Sequence, residues 1–184
     1  MQASANSISG CFAESAARHA GRIAVSAPGA EWTYAELDQR SNFIAGEILN
    51  RLGETSESVA LLMEHGAPLI AGILGALKAG KIYLALDPNQ PKDRLDAVLA
   101  DSQARILLAD KPNAALVNSL ASEKIKVLEV AEKFPASSPR ATLPAVSPEA
   151  GAWLLFTSGS TGTPKGVWQN ITAASSITRM FTAG

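Results

Sequence analysis

The sequence predicts an α/β fold in which a mostly parallel sheet is flanked by helices. Two observations carry that expectation. Residues 59–63, 82–86 and 105–109 are short, largely apolar runs without the alternation of a strand that has one wet face, and 125–130 reads as a further strand. The stretches between them carry apolar residues at helical spacing, bounded by helix start and stop signals. Strands covered by helices on both faces read as unbroken apolar runs, and their alternation with helices is the pattern of β-α-β units.

The elements follow in order. Ile8, Phe12 and Ala16 recur one helical turn apart until Gly21, and residues 23–27 then read as a strand closed by Pro28-Gly29. Thr33 followed three residues later by Glu36 forms a capping box, and Leu37, Ile44, Ile48 and Leu52 carry the apolar stripe of a second helix to Gly53. After the strand at 59–63, Pro68 suits the first turn of a third helix and Gly80 suits its end. The strand at 82–86 is broken by Asp87-Pro88. Pro91 then opens a helix carrying Leu95, Val98 and Leu99. A strand at 105–109, a helix at 113–122 and a strand at 125–130 complete the run. Residues 134–149, with Pro135, Pro139, Pro144 and Pro148 among Ser and Ala, form a connecting segment. Residues 152–156 resume as a strand, 157–166 form a glycine- and hydroxyl-rich loop, and 171–181 read as a helix.

Composition narrows the function classes. The chain has 184 residues, 47% of them hydrophobic, so a core that buries roughly 70% of the unfolded surface is within reach. Sixteen Lys and Arg against 17 Asp and Glu leave a net charge of -1, which provides no broad field for nucleic acid or an anionic membrane. Any anion site must be local. Trp32, Trp153 and Trp168 are dispersed, which is no stacking platform for bases. The apolar run at 67–77 falls short of the roughly 20 residues that span a bilayer, and residues 1–10 lack the charge and apolar block of a signal peptide. One cysteine, Cys11, cannot form an internal disulfide, so a reducing, cytoplasmic setting is expected. Cys11 itself is expected to pack beside Phe12.

The segment that carries chemistry is Thr157-Ser158-Gly159-Ser160-Thr161-Gly162-Thr163-Pro164-Lys165-Gly166. Gly159 and Gly162 permit unusual backbone angles and close approach, the hydroxyls of Thr157, Ser158, Ser160 and Thr161 are donors, and Lys165 supplies a point charge. A glycine-rich turn behind a buried strand can wrap a polyphosphate through its backbone N–H groups. A solvated Ser/Gly linker is the other reading of this composition, and the strand in front weighs against it. The loop is not a Walker A motif, because Pro164 precedes Lys165 and no hydroxyl follows it. It also lacks the glycine spacing of the dinucleotide fingerprint.

Residues 157–166 resemble the phosphate-loop signature of the adenylate-forming superfamily, which includes acyl-CoA synthetases, luciferases and the adenylation domains of non-ribosomal peptide synthetases. Leu77-Lys78-Ala79-Gly80, Tyr83, Asp87-Pro88, Pro91, Arg94-Leu95, Leu99 and Asp101-Ser102 resemble a core motif of the amino-acid-activating members, and Thr33-Tyr34-Ala35-Glu36-Leu37 resembles a third element. The resemblance spans residues 8–167. It implies that residues 1–184 are the N-terminal portion of an adenylation (AMP-binding) domain, part of the large domain of such an enzyme.

The implied chemistry is activation of an amino-acid or other carboxylate with ATP to an acyl-adenylate, followed by transfer to the phosphopantetheine thiol of a carrier protein. Thr157, Ser158, Gly159, Ser160, Thr161, Gly162 and Lys165 would bind the ATP phosphates, with no complete catalytic set in the chain. The family's histidine a few residues after the loop is replaced by Ile171. The resemblance further implies that the adenine site, the Mg2+ ligand, the ribose contact, the carboxy-terminal lysine and the substrate pocket belong to the remainder of the domain. Two other readings are open: a fragment of an acyl-CoA or fatty-acyl-AMP ligase, and a non-catalytic nucleotide-binding or interaction module.

Several residues carry structural expectations only. Asp87-Pro88 is expected to be a turn, and Arg94 and Asp101 to lie on a solvated helix face with a Lys92–Asp96 pair. His19 is expected to end a helix, and His19, His65 and Cys11 form no metal set.

Overall fold

The computed structural model describes residues 7–120, 125–130, 143–147, 149–157 and 165–170. Five helices, α1 (Ile8–Arg18), α2 (Tyr34–Leu52), α3 (Ala67–Lys78), α4 (Lys92–Ser102) and α5 (Ala114–Leu120), alternate with eight strands among the described residues. The strands are β1 (Ile23–Ala27), β2 (Ala30–Thr33), β3 (Ser58–Leu62), β4 (Ile82–Leu86), β5 (Ile106–Ala109), β6 (Lys126–Glu129), β7 (Gly151–Thr157) and β8 (Lys165–Asn170). Six strands form one sheet in the order β6-β5-β3-β4-β7-β8. Every pairing in it is parallel except β7 with β8. The expected α/β architecture is therefore observed, with an antiparallel edge.

The unbroken apolar runs are explained by two cores, one on each face of the sheet. Val59, Leu61, Ile106 and Leu108 face α2 and α3, while Ala60, Leu62, Leu84, Leu86 and Leu107 face α4 and α5. Neighbouring residues on a strand point to opposite faces, so both halves of the run must be apolar. Two short strands escaped the sequence reading. In β2, Trp32 is the lone large apolar residue of a four-residue strand, too short for any period to register, and it is held against the core by its partner β1 across the Pro28-Gly29 turn. The other is β8.

The helix ends are as the residues dictate. Ser7 caps α1 by accepting the Gly10 N–H at 3.0 Å, and His19 sits at its C-cap. The phase that turns Ile8, Phe12 and Ala16 inward leaves Cys11 exposed, contrary to its expected packing role. At α2, the Glu36 N–H donates to Thr33 Oγ1 at 3.2 Å, while the Thr33 N–H at 2.8 Å and the Thr33 hydroxyl at 3.0 Å donate to Glu36 Oε2 and hold its carboxyl below the usual range. Helix α3 ends in a Schellman motif. Gly80, at φ 71°, donates to Leu77 O, and Lys81 N–H donates to Ala76 O.

Helices α2 and α3 approach closely because α3 presents glycine at the contact. A Cβ on Gly75 would lie 2.6 Å from Ile44 Cγ2 of α2; on the side facing the sheet, one on Gly72 would lie 2.9 Å from Leu61 Cδ2 of β3. The same pair is clasped by a buried cation. Lys78, 3% exposed, donates to Asp38 Oδ1 at 2.7 Å, Ser41 Oγ at 2.7 Å and Asn42 Oδ1 at 2.8 Å, and its ammonium lies 5.1 Å from the Phe12 ring centroid of α1. A buried ammonium is tolerable only with such a complete set of acceptors. Three residues on, the fully buried Lys81 donates to Gly53 O at 2.7 Å and to Thr55 O, tying the start of β4 to the segment that leads into β3. Burial lowers its pKa against the pull of Glu57, 3.8 Å away.

Two substitutions test this packing. Lys78→Met should lower unfolding stability by about 3 kcal/mol in a denaturant titration, because the half-buried Asp38 carboxylate loses its cation. Gly75→Val should cost about 1–3 kcal/mol by forcing α2 and α3 apart, with the shift visible in the same measurement.

Candidate functional site

In a parallel sheet all strands deliver their carboxyl ends to one edge, and here that edge is divided. The chain leaves β3 towards the face covered by α3 and leaves β4 towards the face covered by α4. Adjacent strands whose connections diverge open a crevice at their carboxyl ends, the usual ligand position of open α/β sheets. Strand β7 lies beside β4 and parallel to it, through Tyr83 opposite Trp153, so its own carboxyl end at Thr157 reaches the same edge.

The glycine- and hydroxyl-rich segment starts there. Strands β7 and β8 form a hairpin whose last pairs are Phe156 with Gly166 and Thr157 with Lys165. Thr157 and Lys165 are thereby brought together as cross-strand partners at the base of the connection. Ser158, Gly159, Ser160, Thr161 and Gly162 lie outside the described residues, as do most of the expected connector at 134–149 and the helix expected at 171–181. The sequence reading placed the loop boundary at Gly166; the ladder instead extends to Thr157 and Lys165.

Gly166 explains why. A Cβ there would stand 3.3 Å from Leu154 Cδ1 and 3.4 Å from Phe156 Cζ, so the missing side chain makes room for the Phe156 ring, which packs on the α4/α5 core. The hairpin base is thus anchored from below. No local period signals a strand in Lys-Gly-Val-Trp-Gln-Asn, and the pairing with β7 is what creates it.

The neighbouring loops at this edge are stapled by two aspartates. Asp87 Oδ1 accepts the Asn89 N–H at 2.9 Å and Asn89 Nδ2 at 3.0 Å, and Oδ2 accepts Gln90 Nε2 at 3.4 Å. The Asn89 backbone N–H, followed by these side-chain donors, holds the exposed carboxyl below the usual range. Asp87-Pro88 is therefore a turn, as expected. Asp110, which sequence reasoning passed over, accepts the Glu64 N–H at 2.7 Å and Asn113 Nδ2 at 2.6 Å, tying the ends of β5 and β3. Its signal was available as an Asp-x-Pro-Asn cap, with Pro112 at the first turn of a short 3-10 helix. Asp101 is exposed and Lys92 pairs with Asp96 at 2.5 Å, consistent with a solvated helix face.

The chemistry of the segment from Thr157 to Gly166 suits an anion. It contains no carboxylate, one lysine, and hydroxyl and amide donors in abundance. Among the described residues, no group of three His, Cys, Asp or Glu could hold a metal ion, and no helix is long and apolar enough to cross a membrane. A cleft of about 1000 Å³ lies at the opposite edge of the sheet, against Glu57, Asp96, Gln103, Arg105 and Lys126.

The family described as AMP-binding enzyme matches residues 12–183. The chain belongs to this family. It is 43% identical over 143 residues to the nonribosomal peptide synthetase anaPS of Neosartorya fischeri, covering 78% of this chain and 6% of that protein. It is 38% identical over 156 residues to a linear gramicidin synthase of Brevibacillus parabrevis, covering 85% of this chain and 2% of that protein. Among solved structures, the AMPPNP-bound form of the nonribosomal peptide synthetase FmoA3 is similar with a TM-score of 0.82 and 28% identity, over 94% of this chain and 18% of that one. The chain thus spans a small part of each relative's length.

The staple at Asp87 gives a pH dependence of known sign. A carboxyl with a lowered native pKa stabilises the turn above its unfolded value of about 4 and loses that contribution as pH falls through the native value. Hydrogen exchange at the Asn89 amide should accordingly be faster in Asp87→Ala than in the parent at neutral pH. The difference should shrink as the parent is acidified below the ordinary carboxylate range.

Proposed function

We propose that this chain supplies the ATP phosphate-binding part of an amino-acid adenylation site and is the N-terminal portion, residues 1–184, of that adenylation domain. The observation that carries the reading is the junction at Thr157 and Lys165, where an acid-free, glycine- and hydroxyl-rich segment leaves a parallel strand beside the divergent connections of β3 and β4. Membership of the AMP-binding enzyme family and the peptide-synthetase relatives favour a carboxylate that is an amino acid. The AMPPNP-bound relative supports ATP as the nucleotide.

In this reading Thr157, Ser158, Gly159, Ser160, Thr161, Gly162 and Lys165 hold the β- and γ-phosphates. A carboxylate oxygen of the substrate attacks the α-phosphorus, the bond to the bridging oxygen breaks, and pyrophosphate leaves with that electron pair. Backbone amides and hydroxyls orient the departing group, and the Lys165 ammonium offsets the charge that gathers on it. None of these residues forms a covalent bond. The acyl-adenylate then passes to the phosphopantetheine thiol of a carrier protein as a thioester, with AMP released. Mg2+ would balance the remaining phosphate charge, and its ligands belong to the remainder of the adenylation domain, as do the adenine and substrate contacts. A cytoplasmic setting suits a reaction that draws on ATP.

Amino-acid-dependent exchange of pyrophosphate into ATP tests the reading. Residues 1–184 alone should give none, and the chain joined to the remainder of its adenylation domain should give exchange with an amino acid; robust exchange by 1–184 alone would overturn the assignment of the missing contacts. In the joined form, Lys165→Ala should lower kcat roughly 10²–10³-fold while changing the KM for ATP far less, because the charge it meets develops in the transition state. Equal losses in both would count against that role.

A further inference from the structure

We draw no further inference here: the strongest candidate, the apolar groove of about 340 Å³ between α1, α3 and β4 that Ile8, Phe12, Tyr34, Leu77 and Tyr83 line, carries nothing because no observation in the structure shows what covers it.

Discussion

Burial of β3 on both faces is the constraint from which the rest of the architecture follows. Val59, Ala60, Leu61 and Leu62 are all fully buried, two side chains towards α2 and α3 and two towards α4 and α5. A strand in that position requires a hydrogen-bonded neighbour at each edge and a helical layer on each face, since an unpaired backbone group away from water costs as much as a lost hydrogen bond. Strands β4 and β5 fill the two edges, and the chain can reach them in parallel only through crossovers. Sending one crossover to each face places the divergence between β3 and β4 at the carboxyl edge. The candidate site is a consequence of how the centre is covered.

The α3–β4 turn shows how register is set once that layout exists. Lys78 and Lys81 lie in one short segment, both are buried, and each is satisfied by different acceptors: side chains of α2 for Lys78, backbone carbonyls before β3 for Lys81. An ammonium without its acceptors would be far too costly to bury, so the two lysines admit one placement of β4 against α2 and β3. Strand β7 takes its register from β4 at Tyr83 and Trp153, and β8 takes its own from β7. The position of Thr157 and Lys165 therefore depends on contacts made far from these two residues. In the sequence, Leu77-Lys78-Ala79-Gly80 is a motif without evident chemistry, and its content is this packing.

What could be read in advance follows the physics of local signals. The capping box at Thr33 and Glu36, the helix stop at Gly80 and the apolar runs of β3, β4 and β5 are each encoded within a few residues, and the structure contains them all. The glycine- and hydroxyl-rich composition of residues 157–166 is likewise a local pattern. Cys11 was misjudged because helical phase, and not adjacency to Phe12, decides which side of α1 turns inward. Strands β2 and β8 were missed because neither carries a period of its own.

By itself, then, the sequence determined the fold class, the family and the alternation of the helices with the apolar strands, since all of these reside in local patterns and a contiguous motif. Only the tertiary structure decided the strand order, the antiparallel pairing that makes Thr157 and Lys165 partners, the enclosure of Lys78 and the role of Asp110 in tying β3 to β5. The reason is separation along the chain. Asp110 meets Glu64, and Lys78 meets Asp38, across distances that no local pattern spans, and their partners become apparent only when the strands between them have paired.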